Sequence, residues 1–182
     1  METLIYVACV NSLEDENLFN KLYCLLPEYR QKKIDSYQTE KDKNLCLGVG
    51  CLLSRALKDA DLDEKELEIS YKDNGRPYFK NQSDIWFSLS HSQNMVMCGI
   101  SLNPIGVDVE YISDEREKIV EWTKKESYVK ASDCGMMDLL SNKSCYDKQY
   151  KFKEINIDKD YVFMACSTEK ISDSQVIKVE LN

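Results

Sequence analysis

Three short segments carry side chains whose types and spacing could do chemistry. The first is Asp108-Val109-Glu110. In a strand, alternate side chains share one face. The two carboxylates then point the same way, while Val107 and Val109 enter a core. Two hard oxygen ligands on one face suit Mg2+, which is held by a few carboxylates together with substrate phosphates and water. The same alternation also fits a solvated strand face. The second segment is Trp122-x-x-Lys125-Glu126-x-x-x-Lys130. On a helix, positions 122, 126 and 129 line one stripe, flanked by 125 and 130. Glu126 could add a third carboxylate to a metal or act as a base, and Lys125 and Lys130 could meet phosphates. Glu121 with Lys125 and Glu126 with Lys130 can equally be read as i,i+4 surface pairs. The third segment is Ser90-His91-Ser92, which holds the single histidine of the chain. No Asp-His-nucleophile arrangement is legible around it, so a hydrolase triad has no positive support.

Two basic features stand beside these. Gly75 and Pro77 hold a turn around Arg76, whose guanidinium is a fork of donors suited to phosphate. Arg30, Lys32 and Lys33 form a local cluster. They matter because the chain as a whole is acidic, with 24 basic and 32 acidic side chains and a formal charge of −8. Such a surface repels nucleic acid at long range, so no nucleic acid partner is expected. A phosphate would have to sit in a locally basic pocket.

The elements that must position these residues follow from periodicity. Residues 3–10 (TLIYVACV) read as a buried strand. A helix is predicted from Ser12 to Leu26, with Ser12 as N-cap and Asp15 three residues on. A second helix starts at Pro27 (PEYRQKKIDSY) and a third runs from about Thr39 to Ala60. Gly48 and Gly50 in that third helix point to close packing against a neighbour. ELEISYK, the NGRPYF turn and extended segment, WFSLSHS, MVMCGISL and IGVDVEYI read as strands. Glu117 to Ser132 reads as a helix, with Gly135 placed to turn the chain out of it. QYKFKEINI, DYVFMACST and SQVIKVEL close the chain. The fold class is mixed α/β in two halves, 1–104 and 105–182, meeting near Asn103–Gly106.

The length of 182 residues suffices for one large domain or two small ones with a real core. Eight cysteines occur without a CxxC pair, and with one histidine a zinc site finds little support; reduced thiols in a cytoplasmic protein are expected. METLIYVACV lacks the basic start of a signal peptide, and no apolar run reaches membrane-spanning length, so no membrane association is expected.

Taken in order, PEYRQKK, NGRPYF, FSLSHS, PIGVDVE and WTKKESYVK resemble the phosphopantetheinyl transferases of the type that activates surfactin synthetase. The resemblance runs from about Pro27 to Gly135. It implies a pseudo-two-fold pair of similar α/β halves with coenzyme A in the cleft between them. It implies transfer of the 4'-phosphopantetheine arm of coenzyme A to a serine of an acyl or peptidyl carrier protein, with release of adenosine 3',5'-bisphosphate. By the same resemblance, Asp108, Glu110 and Glu126 hold Mg2+ and Glu126 is the general base. Lys130 completes the catalytic group. Lys32, Arg76, Ser90, His91, Lys125 and Lys130 contact the coenzyme. The family type is usually monomeric. Asn44 stands where the family commonly has a coenzyme-contacting arginine, with Lys43 beside it. The segment between Glu110 and Trp122, YISDEREKIVE, is shorter than in the family, where that region helps to receive the carrier. A degenerate member that binds coenzyme A or a carrier without catalysis is the alternative reading.

Overall fold

The computed structural model describes residues 1–72, 75–134 and 146–182. Asn74 of the turn, Gly135 and Cys145 lie outside the described residues. The fold is mixed α/β: four helices and three sheets.

Strand β1 (Leu4–Cys9) forms where the apolar β-branched run predicts it. The next segment differs from expectation. A 3-10 turn, Asn11–Glu14, precedes helix α1 (Glu16–Leu25), and the cap is Asp15, not Ser12. Asp15 Oδ1 accepts from the backbone N–H of Asn17 at 2.8 Å and of Leu18 at 3.2 Å. The hydroxyl of Ser12 turns instead to the carbonyl of Leu181, 3.2 Å away. A carboxylate at a helix N-terminus also meets the positive end of the dipole, which a hydroxyl does not exploit as well. Helices α2 (Glu28–Asp35) and α3 (Glu40–Asp59) begin at Pro27 and Thr39, and Thr39 Oγ1 caps the N–H of Asp42. A Cβ on Gly48 would come within 2.5 Å of a Val10 methyl, which is the close packing its position predicts.

Strands β2 (Ile69–Tyr71) and β3 (Pro77–Phe79) make a small hairpin. Strands β4 (Trp86–Ser92) and β5 (Met95–Ser101) pair antiparallel, and β5 pairs antiparallel with β1. Strand β6 (Ile105–Tyr111) leads into helix α4 (Arg116–Ser132). Strands β7 (Lys151–Ile155) and β8 (Tyr161–Ser167) then complete a three-stranded sheet in the order β6-β8-β7. The last strand, β9 (Val176–Lys178), pairs parallel with β1 and extends the other sheet to β4-β5-β1-β9. The end of the chain is thus stitched into the sheet that its beginning starts.

Alternation along β1 shows how the layers stack. Tyr6 and Ala8 pack with Leu45, Leu52 and Leu53 of α3, whereas Ile5 and Val7 pack with Val107 and Phe163 of the second sheet. Beyond that sheet, Tyr128 and Ala131 of α4 cover Cys166. The order is helices, sheet, sheet, helix. The seven described cysteines are free thiols, and burial pushes those of Cys98 and Cys166 up to about 12, so both stay protonated core residues. No helix among the described residues is long and apolar enough to cross a membrane.

Candidate active site

The site begins with an absent side chain. A Cβ on Gly106 would lie 2.0 Å from the carbonyl oxygen of Ser127 and 2.5 Å from the amide nitrogen of Ala131. Only glycine lets the backbone of α4 rest directly on β6. Alternation then aims Gly106, Asp108 and Glu110 at the helix, while Ile105, Val107 and Val109 enter the core between the sheets.

Asp108 is only 3% exposed. Its Oδ1 accepts from Ser90 Oγ and from Lys130 Nζ, each at 2.7 Å. Its Oδ2 is buried with no hydrogen-bond partner. A carboxylate oxygen in that position is costly until a donor or a cation satisfies it. Glu110 is half-buried and accepts from Ser92 Oγ at 3.0 Å. Burial, and then the charge of Asp108, push the Glu110 carboxyl above its ordinary range. Burial also raises that of Glu126, with Asp108 adding to the effect and Lys130 opposing it. The three carboxylates therefore share one electrostatic neighbourhood. Among the described residues, no three His, Cys, Asp or Glu side chains stand in an arrangement that could hold a metal ion.

A ladder of serines closes the seam between the sheets. Ser88, Ser90 and Ser92 on β4 accept from the backbone N–H groups of Val107, Val109 and Tyr111 on β6, at 3.0, 3.3 and 3.1 Å. Three hydroxyls thus stand in for the carbonyls of a neighbouring strand. Ser88 is a site residue that sequence reasoning missed, and Ser92 was read only as part of a motif. The signal was the alternation Ser-x-Ser-x-Ser in FSLSHS. Ser90 is itself committed: it is buried and bonded to Asp108, Val109 and Lys130. His91 points to the other face and is exposed. Desolvation first, and then the Lys130 ammonium, hold its imidazole below its ordinary value against the pull of Asp42 and Asp108. At neutral pH it is an uncharged donor.

The remaining candidates are engaged elsewhere. Lys125 pairs with Glu121 at 3.4 Å, and the exposed Lys32 with Glu28 at 2.7 Å. Arg76 bonds to Asp133 and lies 4.8 Å from the ring centroid of Trp86. Asn44 lines a cavity of about 1200 Å³, together with Lys43, Gln93, Asn94, Tyr111 and Tyr161. That cavity adjoins the carboxylate cluster through Tyr111, the neighbour of Glu110, without including the carboxylates. The site so built can bind and desolvate anions beside a group of acids, one of which is poised to accept a proton.

No family model matches the chain. Curated relatives do. The chain is 30% identical over 164 residues to the 4'-phosphopantetheinyl transferase gsp of Aneurinibacillus migulanus, across 75% of this chain and 68% of that protein. It is 31% identical over 84 residues to the 4'-phosphopantetheinyl transferase Sfp of Bacillus subtilis, across 46% of this chain and 38% of that one. With the 4'-phosphopantetheinyl transferase HetI of a Nostoc species it shares 25% over 135 residues, 57% of each chain. For Sfp and HetI the matched length is thus less than two thirds of the relative.

Proposed function

The chain belongs to the 4'-phosphopantetheinyl transferase family, and from that premise we propose that it moves the phosphopantetheine arm of coenzyme A onto a serine of an acyl or peptidyl carrier protein. The observation that carries this reading is the seating of α4 on β6, which brings Lys130 onto Asp108 and puts Glu126 in the field of Asp108 and Glu110.

In this reading the serine oxygen attacks the β-phosphorus of coenzyme A. A new P–O bond forms, the bond to the bridging oxygen breaks, and adenosine 3',5'-bisphosphate leaves. The serine proton passes to Glu126, directly or through one water. A carboxyl raised by burial is a stronger base than an exposed one, which suits that role. Transfers of this kind rely on positioning and on neutralising phosphate charge more than on covalent help. Lys130, Lys125 and Arg76 supply positive charge, and neutral His91 supplies a donor.

The residues present fit Mg2+. Asp108, Glu110 and Glu126 are hard oxygen donors, and Asp108 Oδ2 is a buried oxygen that lacks a partner. When bound there, the ion supplies charge neutralisation at phosphate oxygens. The carboxylates come together on it by rotation of Glu110 and Glu126, since Asp108 is fixed by Ser90 and Lys130. The protein acts in the cytoplasm as a monomer in this reading.

A second reading, a binding protein without transferase activity, draws on two facts. The carboxylates do not form a ready metal site, and the Glu110–Trp122 segment is short. One assay separates the two. The protein is mixed with Mg2+, coenzyme A and unmodified carrier proteins of the fatty-acid, polyketide and peptide-synthetase classes, and the carriers are weighed by mass spectrometry. A phosphopantetheine mass gain on any of them is the expected result. Coenzyme binding without a gain on any carrier establishes the second reading.

A further inference from the structure

The β2–β3 hairpin has two strands of three residues each, and a hairpin that small needs outside support to persist in water. Much of that support comes from one carboxylate. Asp133 takes the ammonium of Lys72 on Oδ2 and the guanidinium of Arg76 on Oδ1. The Arg76 side chain is 11% exposed. Both cations also lie against Trp86, Lys72 at 5.6 Å and Arg76 at 4.8 Å from the ring centroid. Asp133 is the residue that ends α4, three positions beyond Lys130, in the left-handed conformation with φ 58.

We propose that Lys72, Arg76 and the indole of Trp86 form a phosphate-binding site in which Asp133 holds the place of the anion, so that Asp133 sets the affinity of the cleft for coenzyme phosphates. The inference rests on the reading that the cleft takes coenzyme A. Four points support it. Two cations that converge on the separate oxygens of one carboxylate have the arrangement that also receives a phosphate. Cation–π contact with Trp86 keeps Arg76 in place when the carboxylate departs. The Asp133 backbone is tied independently, its N–H bonding to the carbonyl of Val129, so the side chain is free to swing away. A phosphate carries more charge than a carboxylate and competes for the same donors. Asp133 is therefore a positioning residue that a ligand displaces, and each act of binding includes the cost of that exchange.

The test is calorimetric titration of the full chain with inorganic pyrophosphate and, separately, with coenzyme A, at low and moderate salt. Asp133→Asn retains the left-handed conformation, which asparagine accepts. It should bind pyrophosphate about three- to ten-fold more tightly than the parent at low salt, with the advantage shrinking as salt rises. Asp133→Gly, which suits the same backbone, should move affinity in the same direction. Lys72→Gln should weaken binding. A merely structural role for Asp133 cannot tighten pyrophosphate binding. Unchanged or weaker binding in the folded Asn and Gly variants overturns the proposal. Tighter pyrophosphate binding with no coenzyme A binding by any form upholds the anion site and counts against the transferase reading.

Discussion

Nζ of Lys130 lies 2.7 Å from Oδ1 of Asp108, and this one contact ties helix α4 to the middle of strand β6. The ammonium is about a quarter exposed and the carboxylate almost entirely buried. The lysine therefore does two jobs. It offsets a charge that burial would otherwise make untenable, and it keeps one oxygen of Asp108 occupied while the other stays available.

Removing the lysine exposes the first job. Lys130→Met should destabilise the fold by about 3 kcal/mol, because it leaves a buried carboxylate without its partner. Adding Asp108→Asn to that variant should recover much of the loss, since the uncompensated charge goes too. Urea unfolding of the two single variants and the double variant reads the coupling directly. Independent, additive losses would show that the pair does not hold α4 on β6.

Glu126→Gln keeps the shape of the side chain and removes its basicity. Transfer should fall by at least about 100-fold, the scale of general-base assistance. The thermal midpoint should not fall, because a neutral amide suits a half-buried position at least as well as an ionised acid. Carrier mass spectrometry and a melting curve on one preparation suffice. Parent-level turnover would take Glu126 out of the base role.

The raised carboxyls of Glu110 and Glu126 have a definite sign in pH. In the window above the ordinary carboxylate value, the folded chain binds more protons than the unfolded chain. Stability from these two groups therefore falls as pH rises through the window. Mg2+ binds the ionised forms, so its apparent affinity should rise with pH there, and binding should release protons. Melting curves in chelator and in excess Mg2+ across the acid range test this. An identical pH dependence in the Glu110→Gln/Glu126→Gln double variant would assign the effect to other groups.

The serine ladder predicts a gradient. Ser88→Ala leaves the N–H of buried Val107 without its acceptor, at a cost of about 1–3 kcal/mol. Ser92→Ala frees the N–H of Tyr111, whose residue is 42% exposed, and water takes the place of the hydroxyl at much lower cost. Equal losses in denaturant titrations would mean that the hydroxyls are not what joins β4 to β6.

Much of the fold was legible because local rules decide it. Apolar alternation marks β1, β5 and β6, and Pro27 and Thr39 mark two helix starts. The helix start after β1 was misassigned because Ser12 and Asp15 are both good caps, and only the position of Leu181 shows which of them the chain uses elsewhere. Helix α4 ends at Asp133, before the glycine that the sequence offered as its stop. A carboxylate held by Lys72 and Arg76 from the hairpin tolerates the left-handed turn.

Sequence by itself determined which side chains could act: alternation put Asp108 and Glu110 on one face, and helical spacing related Glu126 to Lys130. Only the tertiary structure decided what they meet. That Lys130 reaches across to Asp108 rather than back to Glu126, that Ser90 is spent on the seam, and that Arg76 is paired with Asp133 all depend on contacts between residues 18 to 57 positions apart or more. Periodicity fixes the direction of a side chain relative to its own element. The partner is chosen by how elements pack, here by a glycine at position 106 that lets a helix lie against a strand.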